Sequence, residues 1–206
     1  MRKTQAKIIA PCIIGPVTSE TIELVERVRR RLSVTDARCD IKGPVPEAAI
    51  DAAEEALGCT FPPSYRTFLL TFGRITLPQH LGIVHDFVGV SPTRRLQPAE
   101  SAESAASAAL AEAEGPAPDH PDVVQRTLRA RAEKRLGCGL VVVGIGANPR
   151  EWFCLDVTRP DPQGEYPVVM FDAQDNARDQ QFYDDFGQMF SEVMGFVAET
   201  LEQPLD

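Results

Sequence analysis

Nowhere in this chain of 206 residues is there a run of the roughly 20 apolar residues that a bilayer-spanning helix requires. A secretion signal is not expected either. Arg2, Lys3 and Lys7 precede a short apolar stretch, but Pro11 breaks it and no small-x-small cleavage site follows. Proline at position 11 also makes Cys12 a poor lipidation site. The expectation is a cytoplasmic protein with no membrane partner. The five cysteines (Cys12, Cys39, Cys59, Cys138, Cys154) are odd in number, widely spaced and form no C-x-x-C pair, so neither a disulfide framework nor a zinc site is expected. Cys59 and Cys154 stand among apolar neighbours and read as small core residues.

Catalytic apparatus is equally thin. The sequence has no G-x-S-x-G elbow, no H-E-x-x-H and no P-loop lysine, and its three histidines, His80, His85 and His120, are scattered. His80, His85 and Asp86 do not have the spacing of a ligand set, and a third ligand is not evident nearby. Gly144-Ile145-Gly146 leads into a strand rather than a helix, which argues against a dinucleotide loop. The expectation is a non-enzyme with no cofactor and no metal. An excess of basic charge is absent as well: the net charge is −9. From Glu151 onward thirteen carboxylates face only Arg159 and Arg178, a net of −11, which leaves residues 1–150 at +2. An acidic carboxyl-terminal third disfavours nucleic acid and suits a basic protein partner, although solubility alone also explains it.

What is present reads as an ordinary globular chain, 43% apolar and 25% charged, expected to form a single domain over residues 1–206. Ser19 and Glu20 open a helix with Leu24, Val25, Val28 and Leu32 on one stripe; Arg27, Arg29, Arg30 and Arg31 form its solvated face. From Val45 to Gly73 the pattern predicts two short helices about a Phe61-Pro62-Pro63 elbow. Ile50, Ala53 and Leu57 share one face, with Pro46 in the first turn and Gly58 at the left-handed cap. Tyr65, Phe68, Leu69 and Phe72 share the next. Helices this short need tertiary cover, because nucleation is costly.

Leu81–Val90 reads as a strand or two short ones, and residues 98–118 as a low-complexity Ala/Glu-rich insert with almost nothing to bury. Asp122 caps a further helix with Val124, Leu128, Ala132 and Leu136 on one stripe. Leu140–Ile145 is a continuous apolar run expected to be a strand covered on both faces. Trp152–Val157 and Pro167–Phe171, separated by a turn cluster at 160–164, imply antiparallel neighbours. The closing helix is expected over 182–201, its apolar face formed by Phe182, Phe186, Phe190, Val193, Val197 and Leu201 and its first turn holding Asp184 and Asp185. The fold class is α+β: a mixed, mainly antiparallel sheet flanked by helices.

Three blocks carry a resemblance. Ala53-Glu54-Glu55-Ala56-Leu57-Gly58 followed by Phe61-Pro62 and Tyr65-Arg66-Thr67-Phe68-Leu69, the strand–turn–strand VVVGIGANPREWFCLDV at 141–157, and Tyr183-Asp184-Asp185-Phe186 opening the last helix resemble, in order, the SUKH superfamily in its Smi-one/Knr-four branch. That resemblance implies a SUKH-like fold and, for bacterial members, an immunity protein that binds and neutralises a toxin domain, often a nuclease. The alternative it implies is a non-catalytic regulatory scaffold, like the fungal members, that binds signalling or cell-wall-assembly proteins. The expected assembly is a monomer or weak dimer. Within the acidic region Trp152, Asp156, Glu165 and Asp172 are the candidate partner-binding residues, since tryptophan is over-represented at hot spots and carboxylates suit a nuclease's basic site. The competing reading makes Trp152 core and gives Asp156 to a nearby turn or cap.

Overall fold

The computed structural model describes residues 19–34, 39–91, 121–133 and 135–202; the amino-terminal segment and the 98–118 insert discussed above lie outside them. Its elements are α1 (Ser19–Leu32), β1 (Asp40–Ile41), α2 (Glu47–Leu57), α3 (Pro63–Thr71), β2 (Ile75–Thr76), β3 (Val84–Phe87), α4 (Val123–Ala132), β4 (Leu140–Gly146), β5 (Glu151–Asp156), β6 (Val168–Asp172), β7 (Ala177–Tyr183) and α5 (Phe186–Glu202). The strands form one sheet in sequence order, β1 to β7, with every described pair antiparallel. This is the α+β architecture expected.

The paired helices form where the pattern places them. Ile50, Ala53 and Leu57 are buried on α2. Gly58 ends it at φ 67°, with its N–H donating to Glu55 O (3.2 Å) and the Cys59 N–H donating to Glu54 O (3.2 Å), a two-bond Schellman closure that a left-handed residue permits. Pro46 is the residue before α2 in extended conformation, one position earlier than a first-turn proline. Across the elbow Glu54 accepts from Phe61 N–H (2.6 Å) and from Arg66 Nη1 (2.6 Å), so a carboxylate on α2 sets the entry angle of α3.

One aromatic cluster joins the layers. Tyr65 and Phe68 of α3, Phe87 of β3 and Phe186 and Phe190 of α5 are all fully buried, with Phe68 5.1 Å from both Phe186 and Phe190 by ring centroid. Tyr65 Oη donates to Val88 O at 2.8 Å, giving its buried hydroxyl a partner. α1 lies against α5, burying Val25, Val28 and Leu32.

Three local readings change. Of the expected stripe Val124 and Leu136 are buried, but Leu128 is only half-buried and Ala132 is exposed, because the buried face of α4 is shifted to Val123, Val124, Thr127 and Ala130 and includes a polar threonine. Before Val143 the β3 edge of β4 has no strand partner among the described residues, and α4 lies there: Val142 N–H donates to Thr127 Oγ1 (3.1 Å) and Arg131 Nη2 donates to Leu140 O (3.1 Å). The closing helix starts at Phe186, four residues later than the apolar periodicity suggests. Asp185 lies outside the first turn and caps it, accepting from Gln188 N–H at 2.7 Å. Phe182 belongs instead to β7, a strand without the apolar alternation that marks a strand in sequence.

Candidate interaction surface

No three His, Cys, Asp or Glu side chains among the described residues lie close enough to hold a metal ion. Asp86, one of the three residues His80, His85 and Asp86 weighed in the sequence, has a side chain 3% exposed and committed: Arg74 donates to it through Nε (2.9 Å) and Nη2 (2.5 Å), and Thr76 Oγ1 adds a third bond (3.2 Å). The thiols of Cys39, Cys59 and Cys154 are not activated. Burial, then Asp40, push Cys39 up to about 11, and burial alone drives Cys154 higher still.

The four residues singled out in the acidic region do not converge. Trp152 and Asp172 lie at one end of the β5–β6 hairpin, where Trp152 opposes Phe171 and Glu151 opposes Asp172; Asp156 and Glu165 lie at the other, beside the 157–167 loop. The two ends are separated by roughly 13 Å, four residues of strand rise.

Each of the four already has a structural partner. Trp152 is 8% exposed, so the fold does not build the exposed anchor considered from sequence. Its ring stacks on Phe171 (6.0 Å), the Arg135 guanidinium sits 5.9 Å above it, and Nε1 donates to Pro149 O (3.2 Å). Asp156 is 1% exposed and accepts from Arg178 Nη2 (2.5 Å), Thr158 Oγ1 (2.6 Å) and Thr158 N–H (3.2 Å), the turn role weighed against a contact role. Burial pushes its carboxyl up, but the Thr158 and Arg178 bonds together outweigh that and hold it below the ordinary value. Asp172 accepts the amides of Gln174 (2.7 Å) and Asp175 (3.0 Å), which lower its pKa and fold the turn into β7.

Glu165 has the least expected role. Pro62 precedes α3 and has no side-chain acceptor, so the first N–H groups of that helix lack a local cap. Glu165, 101 residues away in sequence, supplies it: Oε1 accepts from Ser64 N–H (2.8 Å) and Oε2 from Ser64 Oγ (2.6 Å). The same loop brings Asp161 and Asp185 near it. Burial raises the Glu165 pKa, the two Ser64 bonds oppose the rise, and the charges of Asp185 and Asp161 add to it. Asp185 is raised for the same reasons, burial first and then Asp184 and Asp161 against its bonds from Gln188 and Gly187.

What sequence reading missed is the strand beyond these residues. β7 is the last strand of the sheet, and residues 174–182 form the longest exposed run among the described residues. The available signal was the turn chemistry: an Asp172 that bonds the amides two and three residues on, followed by Asn176 at φ 51°, predicts a hairpin and therefore a partner strand for β6.

A seven-stranded antiparallel meander with a helical layer, no metal-type cluster among its described residues, and an exposed final strand define an α+β protein. The sequence profile of the SMI1 / KNR4 family (SUKH-1) matches residues 44–192, and the chain belongs to that family. No curated protein matches it. No described helix is long and apolar enough to cross a membrane.

Proposed function

We propose that this protein is a non-catalytic immunity protein that neutralises a toxin domain, of nuclease type, by direct binding through its acidic carboxyl-terminal surface. Membership of the SUKH-1 family carries the reading, since its bacterial members are expected to bind and neutralise toxins. The charge distribution supports it: the net of −11 from Glu151 onward complements an enzyme surface built for phosphates, and complementary charge speeds association.

The test is to purify the product of the gene adjacent to this one, assay it for nuclease activity, and titrate in the full chain. Stoichiometric inhibition with a measurable Kd is expected. Binding without loss of activity would replace neutralisation with the scaffold reading, and the absence of any binding would overturn both for that partner. Substitution of Trp152, Asp156, Glu165 and Asp172 gives a second readout. Because each is engaged within the fold, their alanine variants should lose melting temperature before they lose affinity.

A further inference from the structure

We propose that the outer edge of the sheet, β7, is the docking surface for a basic protein face, with Phe182 as apolar anchor and Asp179 and Asp184 as the flanking acceptors; this rests on the protein-binding reading above. The geometry begins with a bulge. Tyr183 opposes Val168 and Gln181 opposes Val169, which leaves Phe182 as the extra residue with no cross-strand partner. Its ring is 45% exposed, in a strand whose other residues before Tyr183 are polar or small.

The ring is held rather than loose. It stands edge-on to Phe153 (5.9 Å, 85°) and to Tyr183 (5.3 Å, 61°), so little rotamer freedom remains to be lost on binding. Asp184, two residues on, is fixed by Gln181 Nε2 at 2.9 Å. Arg178 is the cation of this strand; it is paired with Asp156, while its side chain stays 43% exposed. The result is a held aromatic with the fixed carboxylate of Asp184 two residues after it and Asp179, which accepts from Gln180 N–H (2.7 Å), three residues before it, a pattern that fits a surface of lysine and arginine around an apolar hollow.

The same bulges decide the mode. A flat edge invites strand addition, but the register of β7 against β6 shifts twice, between Val168 and Val169 and between Val169 and Phe171. A twisted, bulged edge is a poor template for another strand. Recognition is therefore by side chains. The rival anchor is Phe196, 58% exposed on α5 with Glu192 and Glu199 one turn to either side, but no aromatic neighbour among the described residues holds its ring.

The experiment uses the full chain and two probes: a capped heptapeptide of alternating lysine and leucine, and the purified product of the adjacent gene. In an amide-shift titration with the peptide at low salt, perturbations should centre on residues 177–185. Phe182→Ser and the double variant Asp179→Asn/Asp184→Asn should each weaken binding by about tenfold or more, while Phe196→Ser should not. Circular dichroism melting of each variant checks the fold; if Phe182→Ser fails to fold, the aspartate pair decides. No peptide binding, perturbations centred elsewhere, or an equal loss in Phe196→Ser would overturn the proposal. The second probe separates the two levels. If wild-type chain binds the gene product and both β7 variants bind it equally well, the edge proposal fails and the protein-binding reading stands. If the peptide maps to β7 but the gene product does not bind at all, the edge stands and that reading of its partner fails.

Discussion

Single side chains in this protein serve the fold through burial or through committed lone pairs. Phe68 illustrates the first. It is fully buried, with four aromatic rings besides Tyr65 within about 6 Å, and truncation leaves a cavity that a helix–sheet junction closes poorly. Phe68→Ala should cost roughly 3–5 kcal/mol in urea unfolding; an unchanged midpoint would show that the cluster is not the centre of the core. Asp156 and Glu165 illustrate the second, with opposite pH signatures. The folded pKa of Asp156 lies below its unfolded value of about 3.9. Its charge therefore stabilises the protein above that value, and the contribution is lost as pH falls through the folded pKa. Asp156→Asn should destabilise by roughly 1–3 kcal/mol at pH 7, with the gap to wild type closing under strong acid. Glu165 is raised above its unfolded value of about 4.3. Its contribution is fully present below that value and is lost as pH rises through the folded pKa. A carboxyl carbon NMR titration should place its midpoint above the ordinary range, and a midpoint at or below it would remove the burial and Asp161/Asp185 argument.

At the scale of elements, one stretch of the sheet is met, among the described residues, by something other than a strand. β3 stops short of the first half of β4, and a helix covers the exposed backbone with one hydroxyl and one guanidinium. Thr127 is fully buried, so replacing it with isosteric valine leaves the Val142 N–H without an acceptor where water does not reach. Thr127→Val should cost about 1–3 kcal/mol and speed amide exchange at Val142 more than at Val141 or Val143. If exchange there is unchanged, α4 does not seal the edge. The helices of the 45–73 segment were legible because each carries its own boundary marks: Gly58 at a left-handed cap, Pro63 at the first position, Phe68 and Leu69 on one face. α4 was legible in place but not in orientation, because the residue that matters most on it is a threonine whose role depends on a strand fifteen residues away. β7 was not legible from periodicity, only from the turn that precedes it. Exposed on both faces for six of its seven residues, it is held by the backbone of β6, and backbone pairing leaves no trace in side-chain periodicity.

For the whole molecule, charge separation along the chain predicts the kinetics of association. Under the proposed function, raising ionic strength from 50 to 500 mM, roughly a threefold shortening of the screening length, should slow association with the basic partner far more than it changes dissociation, measured by stopped-flow mixing. Salt-independent association would show that the acidic third serves solubility only. The candidate site was legible in part. The sequence pointed to the acidic region by its carboxylates, but the four residues it singles out there, Trp152, Asp156, Glu165 and Asp172, are all occupied within the fold.

The sequence by itself determined the family, the fold class, the paired helices and the acidic carboxyl-terminal third, because each is written in local spacing or in composition. Only the tertiary structure decided that Glu165 caps α3 from 101 residues away, that Trp152 is buried, and that a bulge turns Phe182 outward. Those outcomes depend on which backbone groups are left without partners once the sheet has closed. The deficit at the start of α3 and the register slip of β7 come into being only when distant segments meet, so no window of the chain contains them.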